Sequence, residues 1–343
     1  MTTTKIRNME EFAELSGVSR PTVSKYFNDP TSVRPSTRVR IEEALERFDY
    51  RPNIYAVNQN RRLTKNIGIV VPYLTDPYFA EIARTIETHC IEAGYSPTLF
   101  SSHGRQDLEN DILDTLRSLK PAGVLLAPLG RSSDKKVIER FCKDVPTVLF
   151  DSNIDNVGDV FVGSDNMQFT SLMVDYLSRT GEAPAFFEMQ NPPNPNARKR
   201  LAGYEAAMER LGATPRVFSV PGEGWALEEI GRREARKLIE SGALNAQTVL
   251  CSNDRLAIGF LAACYDKNIR VGIAPDCELR VAGLDGHPFS SFTCPALTTV
   301  SHDYNAVAER SVETLFSTME QDKMHRQRTE KLFEGKLLMR ASA

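Results

Sequence analysis

Polar side chains that can bind hydroxyl groups follow three short apolar segments of the chain. Asp151 ends VPTVLFD, Asn253 follows QTVLCS, and Asp285 ends LRVAGLD. Carboxylates accept hydrogen bonds, whereas amides both donate and accept them, so together these groups suit a ligand that carries hydroxyl groups. Asp and Asn at such positions also cap the helix that follows. The segment ends therefore predict either a ligand site or a set of helix caps, and we expect Asp254 to be a cap.

The sequence lacks the known signatures of catalysis. No Gly-x-Gly-x-x-Gly follows an apolar segment, and a phosphate loop, a His-Glu-x-x-His pair and a Gly-x-Ser-x-Gly elbow are missing. The five histidines are dispersed, and the six cysteines lack the close pairs that zinc and redox sites use. We therefore predict that the chain is not an enzyme and has no catalytic residue, metal or cofactor.

A basic segment near the N-terminus could read DNA. In LSGVSRPTVSKYFN, Gly17 can take the positive φ that ends one helix, and Ser19 can cap the next. The new helix would present Arg20 and Lys25, which can bind O6 and N7 of guanine in a major groove. Its short polar side chains suit phosphates. A structural helical hairpin would look similar, but the pattern favours a helix-turn-helix whose DNA-binding candidates are Ser19, Arg20, Thr22, Ser24, Lys25 and Asn28.

Three amphipathic helices would hold this basic segment. The first fifty residues contain three apolar stripes with helical spacing, which can close a small core. Residues 1–65 carry 12 Lys and Arg against 8 Asp and Glu, whereas the remainder carries 30 against 37. A basic head on an acidic body indicates a nucleic-acid partner at one end.

Beyond residue 66, short apolar segments alternate twice with helical stripes. The first series begins with IGIVVP at 67–72, and the second begins near FVGSD at 161–165. This order predicts parallel sheets covered on both faces, arranged as two doubly wound lobes. Open α/β sheets bind ligands at the carboxyl ends of their strands, so Asp151, Asn253 and Asp285 would face a cleft between the lobes.

The N-terminal segment MTTTKIRNMEEF lacks the apolar stretch of a signal peptide, and no run of about 18 apolar residues occurs. An exported solute-binding receptor would share the two lobes, but this absence counts against it. We expect a cytoplasmic protein with no membrane partner.

Several longer segments together match one known group of DNA-binding proteins. They are FAELSGVSRPTVSKYFN, VRPSTRVRIEEALERFDYRPN, IGIVVPYLTDPYFAEIARTIE, SDNMQFTSLMVDYL, RLAGYEAAMERLG, NDRLAIGFLAA and GLDGHPFSSFTCPALTTVSHD. With them the chain resembles the lactose-repressor (LacI/GalR) family of transcription regulators. The resemblance implies an all-α helix-turn-helix head at 1–50, a hinge at 51–65 and a core at 66–343 that is similar to periplasmic sugar-binding proteins. The first lobe would comprise about 66–163 with 297–322, and the second about 164–296 with 323–343.

The resemblance also implies roles for single residues. Arg20, Pro21 and Lys25 occupy the positions that read sequence, and because Pro21 has no donor, reading falls to the other two. The effector-binding positions are Tyr78, Phe79, Asp151, Arg200, Trp225, Asn253 and Asp285. As alternatives, Tyr78 and Phe79 could belong to the core, and Trp225 could pack on its own helix.

The hinge departs from the family pattern. Relatives insert a leucine from each hinge helix into the minor groove and open a base step there. Here Gln59 stands at that position, in AVNQ, so the intercalation is in doubt. Gln59 could still bind a minor-groove edge, and Arg61 could bind phosphate or remain in a solvated linker.

The expected function is a ligand-responsive repressor of a carbohydrate uptake or catabolism operon. By the resemblance, a homodimer would bind near-palindromic double-stranded operator DNA, and a sugar or sugar derivative would release it. The alternative is a corepressor-dependent regulator that responds to a small molecule other than a sugar.

Overall fold

The computed structural model describes residue 6, residues 8–48, residue 50, and residues 64–193, 195–320 and 328–343. The chain divides into two compact units, Met1–Thr64 and Lys65–Ala343. The hinge candidates Gln59 and Arg61 lie outside the described residues, as does the side chain of Asn28. The basic segment and the α/β segment therefore belong to different units.

Three helices form the smaller unit around one apolar core. They are α1 (Met9–Ser16), α2 (Arg20–Asn28) and α3 (Pro35–Phe48). Phe12, Val23 and Ile41 come one from each helix and are fully buried. The ring of Phe12 also stacks on Tyr50, with the centroids 4.6 Å apart. Because the apolar residues recur at helical spacing, each helix turns one apolar face inward, and the predicted helical head is confirmed.

The turn between α1 and α2 depends on a left-handed glycine. Gly17 has a φ of 63°, and the N–H groups of Gly17 and Val18 donate to Glu14 and Ala13 at 3.2 Å. A Cβ on Gly17 would lie 2.9 Å from Nη2 of Arg40, which donates to the Gly17 carbonyl. The turn therefore needs glycine for its backbone conformation and for space.

Ser19 stands at the N-cap of α2, but its side chain does not cap the helix. Its hydroxyl pairs with the hydroxyl of Thr22 at 2.8 Å, and no side-chain cap bond forms. The Ser19 carbonyl instead accepts from the Val23 N–H at 3.0 Å, while Pro21 brings no donor to the first turn. The expected side-chain cap was wrong, since the backbone and the proline satisfy this helix start.

A parallel sheet forms the first lobe of the larger unit. Its strands are β1 (Asn66–Val71), β2 (Ser96–Ser101), β3 (Gly123–Leu126), β4 (Thr147–Phe150), β5 (Val160–Ser164) and β11 (Thr329–Phe333). Its helices are α4 (Pro77–Glu92), α5 (Gln106–Leu119), α6 (Lys135–Asp144) and α11 (Tyr304–Glu320). The spatial order is β11-β5-β4-β3-β1-β2, with every neighbouring pair parallel.

A second sheet of the same kind forms the other lobe. Its strands are β6 (Ala185–Met189), β7 (Val217–Val220), β8 (Thr248–Cys251), β9 (Arg280–Asp285), β10 (Thr298–Ser301) and β12 (Lys336–Leu338). Its helices are α7 (Asn166–Thr180), α8 (Ala197–Arg210), α9 (Leu227–Glu240) and α10 (Asp254–Asp266). The order is β12-β10-β9-β8-β6-β7, and only β12 runs antiparallel to its neighbour. Within the described part of the chain, no helix has both the length and the apolar character needed to cross a membrane.

Strand β1 shows why these segments are apolar throughout. Ile67, Ile69 and Val71 pack in one cluster with residues of α4 and α11, and Val70 packs on the opposite face with residues of α5. A strand buried on both faces has no solvent side, so its sequence does not alternate. The predicted pair of α/β lobes is confirmed.

Two segments belong to the other lobe than predicted. Strand β10 was assigned to the first lobe within 297–322, but it pairs with β9 in the second sheet, Val300 opposite Leu284. Strand β11 was assigned to the second lobe within 323–343, but it pairs with β5 in the first sheet, Lys331 opposite Val162. Strand pairing depends on residues distant in sequence, so the local pattern of each segment does not reveal its sheet.

Replacing Phe12 with alanine should unfold the head. Loss of this fully buried ring should lower the free energy of unfolding of the head by about 3–5 kcal/mol. A unit this small has little stability beyond that amount. Limited trypsin digestion of the full chain should then cut the head after Lys25 and Arg40 much faster than in the wild type. Leu15→Ala on the same helix is the matched control, since Leu15 is 46% exposed and should change digestion little. Equal protection of both variants would contradict the described core.

Candidate effector cleft and DNA-reading helix

A buried arginine binds the polar ends of the second sheet. Arg200, on α8, is 2% exposed. Its Nε donates to Asn166 Oδ1 at 2.9 Å, its Nη1 to the Ser252 carbonyl at 2.8 Å, and its Nη2 to Asp285 Oδ1 at 2.5 Å. A buried cation needs acceptors and a counter-charge of this kind. The candidates Arg200 and Asp285 therefore lie together.

Asp285 remains ionised in this environment. Burial raises the pKa of its carboxyl, but Arg200 and His302 outweigh that effect and hold the pKa below its ordinary value. His302 Nε2 lies 3.3 Å from Asp285 Oδ1, and its Nδ1 lies 2.7 Å from Ser164 Oγ. Burial lowers the pKa of His302. Because the ionised Asp285 carboxylate can only accept, Nε2 of His302 is the donor in their contact. Of the Asp285 side chain, 14% stays exposed and able to bind a ligand.

Asp151 joins the first lobe to the second. Its carboxylate accepts a hydrogen bond from the Tyr78 hydroxyl. Asn196 directly precedes α8, and its Nδ2 lies 3.2 Å from Asp151 Oδ1 and 3.1 Å from the Asp151 carbonyl oxygen. Burial raises the pKa of Asp151 to about 6, because Tyr78 and Arg200 offset it only in part. We call the region bounded by Tyr78, Asp151, Asn196, Arg200 and Asp285 the interlobe cleft.

Both carboxylates of the cleft sit on unusual backbone. Asp151 has a φ of 60° and Asp285 a φ of 143°. Residues other than glycine pay about 1–3 kcal/mol for such conformations, which concentrate at binding and active sites. The strain at these two strand ends supports the hypothesis that both residues contact a ligand.

Asn253 and Asp254 exchange the roles expected of them. Asn253 Oδ1 accepts from the Leu256 N–H at 2.8 Å and so caps α10. Asp254 accepts instead from the Thr299 hydroxyl at 2.6 Å and from the His287 N–H at 2.7 Å. Burial raises the pKa of Asp254 to about 7. The expectation that Asp254 caps the helix was wrong, since Asn253 is the cap and its amide nitrogen remains a donor that a ligand can use.

The aromatic candidates pack across the lobes. Trp225, which precedes α9, stacks on Tyr73 of the first lobe with centroids 5.0 Å apart and an interplanar angle of 9°. It meets Phe79 edge-on at 6.3 Å. Phe79 is 3% exposed and belongs to the core of the first lobe, whereas the ring of Tyr78 lies 4.9 Å from that of His302. Trp225 therefore packs on the opposite lobe rather than on its own helix.

A salt bridge that the sequence did not predict also joins the lobes. Arg255 Nη1 lies 3.0 Å from Asp76 Oδ2, and the same guanidinium binds Glu228 and the Trp225 carbonyl. Asp76 and Arg255 are 179 residues apart, so no local pattern links them. His302 was also missed, although it directly follows β10 and the strand-end rule would have found it.

The exposed side of α2 carries the DNA-binding candidates. Arg20 and Lys25 are exposed, while Thr22 and Ser24 are half-buried beside them. Tyr26, on the same helix, is 9% exposed and packs in the apolar core of the head. The helix therefore presents two cations and two hydroxyls on its outer side, which is the chemistry that reads guanine and binds phosphate.

Asp285→Ala should destabilise the larger unit strongly. Removal of one partner from a buried ion pair leaves the other charge uncompensated, so the free energy of unfolding should fall by about 3–5 kcal/mol. Urea denaturation followed by the fluorescence of Trp225 measures this directly. Asp276→Ala is the matched control, because its pair with Arg270 is exposed and should contribute under about 1 kcal/mol. Equal losses in the two variants would exclude a structural role for the Arg200–Asp285 pair.

Two family models match the chain. Residues 8–53 match the model described as bacterial regulatory proteins, lacI family, and residues 176–343 match a periplasmic binding protein-like domain. The first match covers α1 to α3, and the second covers most of the second lobe. The matches place the chain among DNA-binding regulators rather than enzymes.

Curated proteins and solved structures agree with these matches. The ribose operon repressor of Escherichia coli (strain K12) is 29% identical over 322 residues, covering 93% of this chain and 95% of that protein. The repressor PurR of Pasteurella multocida is 27% identical over 308 residues, covering 90% of each. The Lac repressor dimer bound to operator and the anti-inducer ONPF superposes with a TM-score of 0.83 over 99% of both chains, at 23% identity. The chain therefore combines a DNA-binding domain of the lacI family, at residues 8–53, with a periplasmic binding protein-like domain at residues 176–343.

Proposed function

We propose that the chain is a ligand-responsive repressor of a carbohydrate uptake or catabolism operon, released from its operator by a sugar or sugar derivative. The observation that carries the proposal is a cluster of buried polar groups where the two lobes meet, in a chain whose other unit presents an exposed basic helix, α2. The cleft would receive the effector and α2 the DNA. The proposed function requires binding in the cleft and no chemical reaction there.

The cleft has the hydrogen-bonding capacity of a sugar site. Asp151 and Asp285 are acceptors, and Arg200 and Asn196 are donors that already orient them. A sugar hydroxyl donates and accepts at once, so paired carboxylate and amide or guanidinium groups bind it fully. The ribose operon repressor among the relatives supports a sugar as the effector.

The contacts between the lobes would link effector binding to operator affinity. The Asp76–Arg255 salt bridge and the stack of Trp225 on Tyr73 hold the lobes together. An effector that binds between the lobes favours whichever lobe arrangement it contacts best. Its effect on operator affinity equals its differential affinity for the two arrangements, commonly about 1–3 kcal/mol.

A homodimer is the expected working form. A two-fold dimer presents two α2 helices to two half-sites, so the operator should be near-palindromic double-stranded DNA. The Lac repressor dimer on its operator supports this arrangement. A repressor of this kind acts in the cytoplasm, where the DNA is.

The second candidate is a corepressor-dependent regulator whose effector is not a sugar. The similarity to the transcriptional repressor PurR, over 90% of both chains, supports this candidate, because the relatives of this chain are not all named for a sugar operon. The candidates differ in sign and chemistry: a sugar should weaken operator binding, and a corepressor should strengthen it.

Operator binding with and without effectors tests the proposal. The operator is first selected from the genomic DNA of the source organism with the purified chain. Fluorescence anisotropy then measures its affinity alone, with a panel of pentoses and hexoses, and with a panel of purine bases. A sugar that weakens binding about 5- to 150-fold supports the proposal. Tighter binding with a purine base, and no effect of any sugar, would establish the corepressor reading instead.

Arg20→Ala should weaken operator binding and relax base preference. Loss of a bidentate arginine contact to guanine costs about 1–3 kcal/mol at one base position. Anisotropy titrations against the operator and its single-base variants measure both effects. Arg47→Ala on α3, which also removes one exposed charge, is the matched control and should leave base preference intact. Equal losses on all sequences in Arg20→Ala would make Arg20 a phosphate contact.

A further inference from the structure

The mouth of the interlobe cleft holds a basic cavity that the proposed sugar contacts leave unused. The cavity measures about 620 Å³ and is lined by both lobes. Arg131 and Lys135 come from the first lobe, and Arg198 and Lys199 come from the first turn of α8 in the second. Asp155 is the single carboxylate in its lining. Four cations therefore face one cavity with one opposing charge.

Among the described residues, none of the four cations of this cavity forms a close ion pair with a carboxylate. Lys135 Nζ donates to the backbone carbonyl of Asp155 at 2.7 Å, and Lys199 Nζ donates to the amide oxygen of Asn153 at 3.0 Å. Within the described part of the chain, Arg131 and Arg198 form no salt bridge. Both lysines are thus oriented by neutral acceptors rather than by an ion pair. Burial lowers the pKa of Lys199, and the carboxylates nearby, Asp151 first among them, oppose that effect only in part.

Exposed arginines elsewhere on this unit behave differently. Arg210 pairs with Asp175, and Arg232 pairs with Asp266 at 2.8 Å. Residues 66–343 as a whole carry 30 basic against 37 acidic side chains, so acidic partners are not scarce. A solvated face with the average composition of this unit would carry slightly more acidic than basic side chains. The cavity instead has four cations and one acid.

The start of α8 adds to the positive potential. Helix α8 spans Ala197–Arg210, and its N-cap residue Asn196 makes no side-chain cap bond, while its Nδ2 donates to Asp151. The N-terminal N–H groups of a helix favour anions, and Arg guanidinium groups bind phosphate through paired N–H donors. A tetrahedral dianion would meet charge and hydrogen-bond donors here from both lobes.

The cavity adjoins the interlobe cleft through shared segments. Asn153 follows Asp151 by two residues, and Lys199 directly precedes Arg200 on α8. A ligand whose hydroxyls bind Asp151 and Arg200 would therefore extend its remaining end toward the cavity.

We infer that the effector carries a phosphate monoester, which binds in the cavity formed by Arg131, Lys135, Arg198 and Lys199. The inference rests on the proposed function, since it specifies the class of sugar derivative that the cleft takes. The sugar ring lies in the interlobe cleft and the phosphate at its mouth. Because the cations belong to both lobes, the phosphate ties the lobes together and strengthens the arrangement that the effector favours.

Calorimetric titration of the full chain tests the inference. The titrations use a buffer without phosphate or sulfate at low ionic strength. The probes are ribose and ribose 5-phosphate, glucose and glucose 6-phosphate, and inorganic phosphate. The variants are the double substitution Arg131→Gln with Arg198→Gln, and the control Lys136→Gln, which removes an exposed charge that does not line the cavity.

At least one sugar phosphate should bind the wild type about tenfold or more tightly than the double variant, because each charged hydrogen bond lost costs about that factor. The Lys136→Gln control should bind like the wild type, and the affinity for neutral sugars should not change in either. Inorganic phosphate should compete with the sugar phosphate for the wild type. If inorganic phosphate displaces the sugar phosphate more effectively than the neutral sugar does, the phosphate group, and not the ring, is the source of the higher affinity.

Two results would overturn the inference. One is equal binding of every phosphate compound to the wild type and the double variant, including no binding to either. The other is release of operator DNA by a neutral sugar with no gain from its phosphate ester; that result would leave the proposed function intact. Conversely, phosphate binding that depends on Arg131 and Arg198 but never alters operator affinity would support the cavity and refute the proposed regulation.

Discussion

The guanidinium of Arg200 has almost no access to water, so its N–H groups must find acceptors inside the second lobe. Asn166, Ser252 and Asp285 provide them, and each stands at or next to the end of a strand or the start of a helix. The charge of Asp285 compensates the cation, and His302 and Ser164 hold the carboxylate in turn. One buried ion pair thus determines where the polar groups of two sheets face the interlobe cleft.

The contacts that join the lobes couple ligand binding to the lobe arrangement. The chain crosses between them near residues 165, 303 and 335, and the Asp76–Arg255 and Trp225–Tyr73 contacts bridge the space between the crossings. A ligand inserted between Asp151 and Asp285 must compete with contacts that already join the lobes. Its binding energy is therefore coupled to the lobe arrangement rather than confined to one side. The cations at the mouth of the cleft would act on that equilibrium from both lobes.

Much of the architecture follows from patterns that act over a few residues. Helical spacing of apolar residues predicts the three helices of the head, and uninterrupted apolar segments predict the buried strands. Gly17 marks the turn because other residues rarely take its φ of 63°. The same local reasoning failed at Ser19 and at Asn253 and Asp254, where two polar groups compete for the same partners. The choice between them depends on Thr22 in the first case and on the distant Thr299 in the second.

By itself, the sequence determined the α/β rhythm, the basic head, and the strand-end positions at which Asp151 and Asp285 lie, since all three depend on local periodicity and composition. Only the tertiary structure decided which sheet strands β10 and β11 join, that Asp76 meets Arg255 over 179 residues, and that four cations from both lobes share one cavity. Hydrogen-bond partners and uncompensated charge depend on distances in space, and a chain pattern specifies spacing only along the backbone.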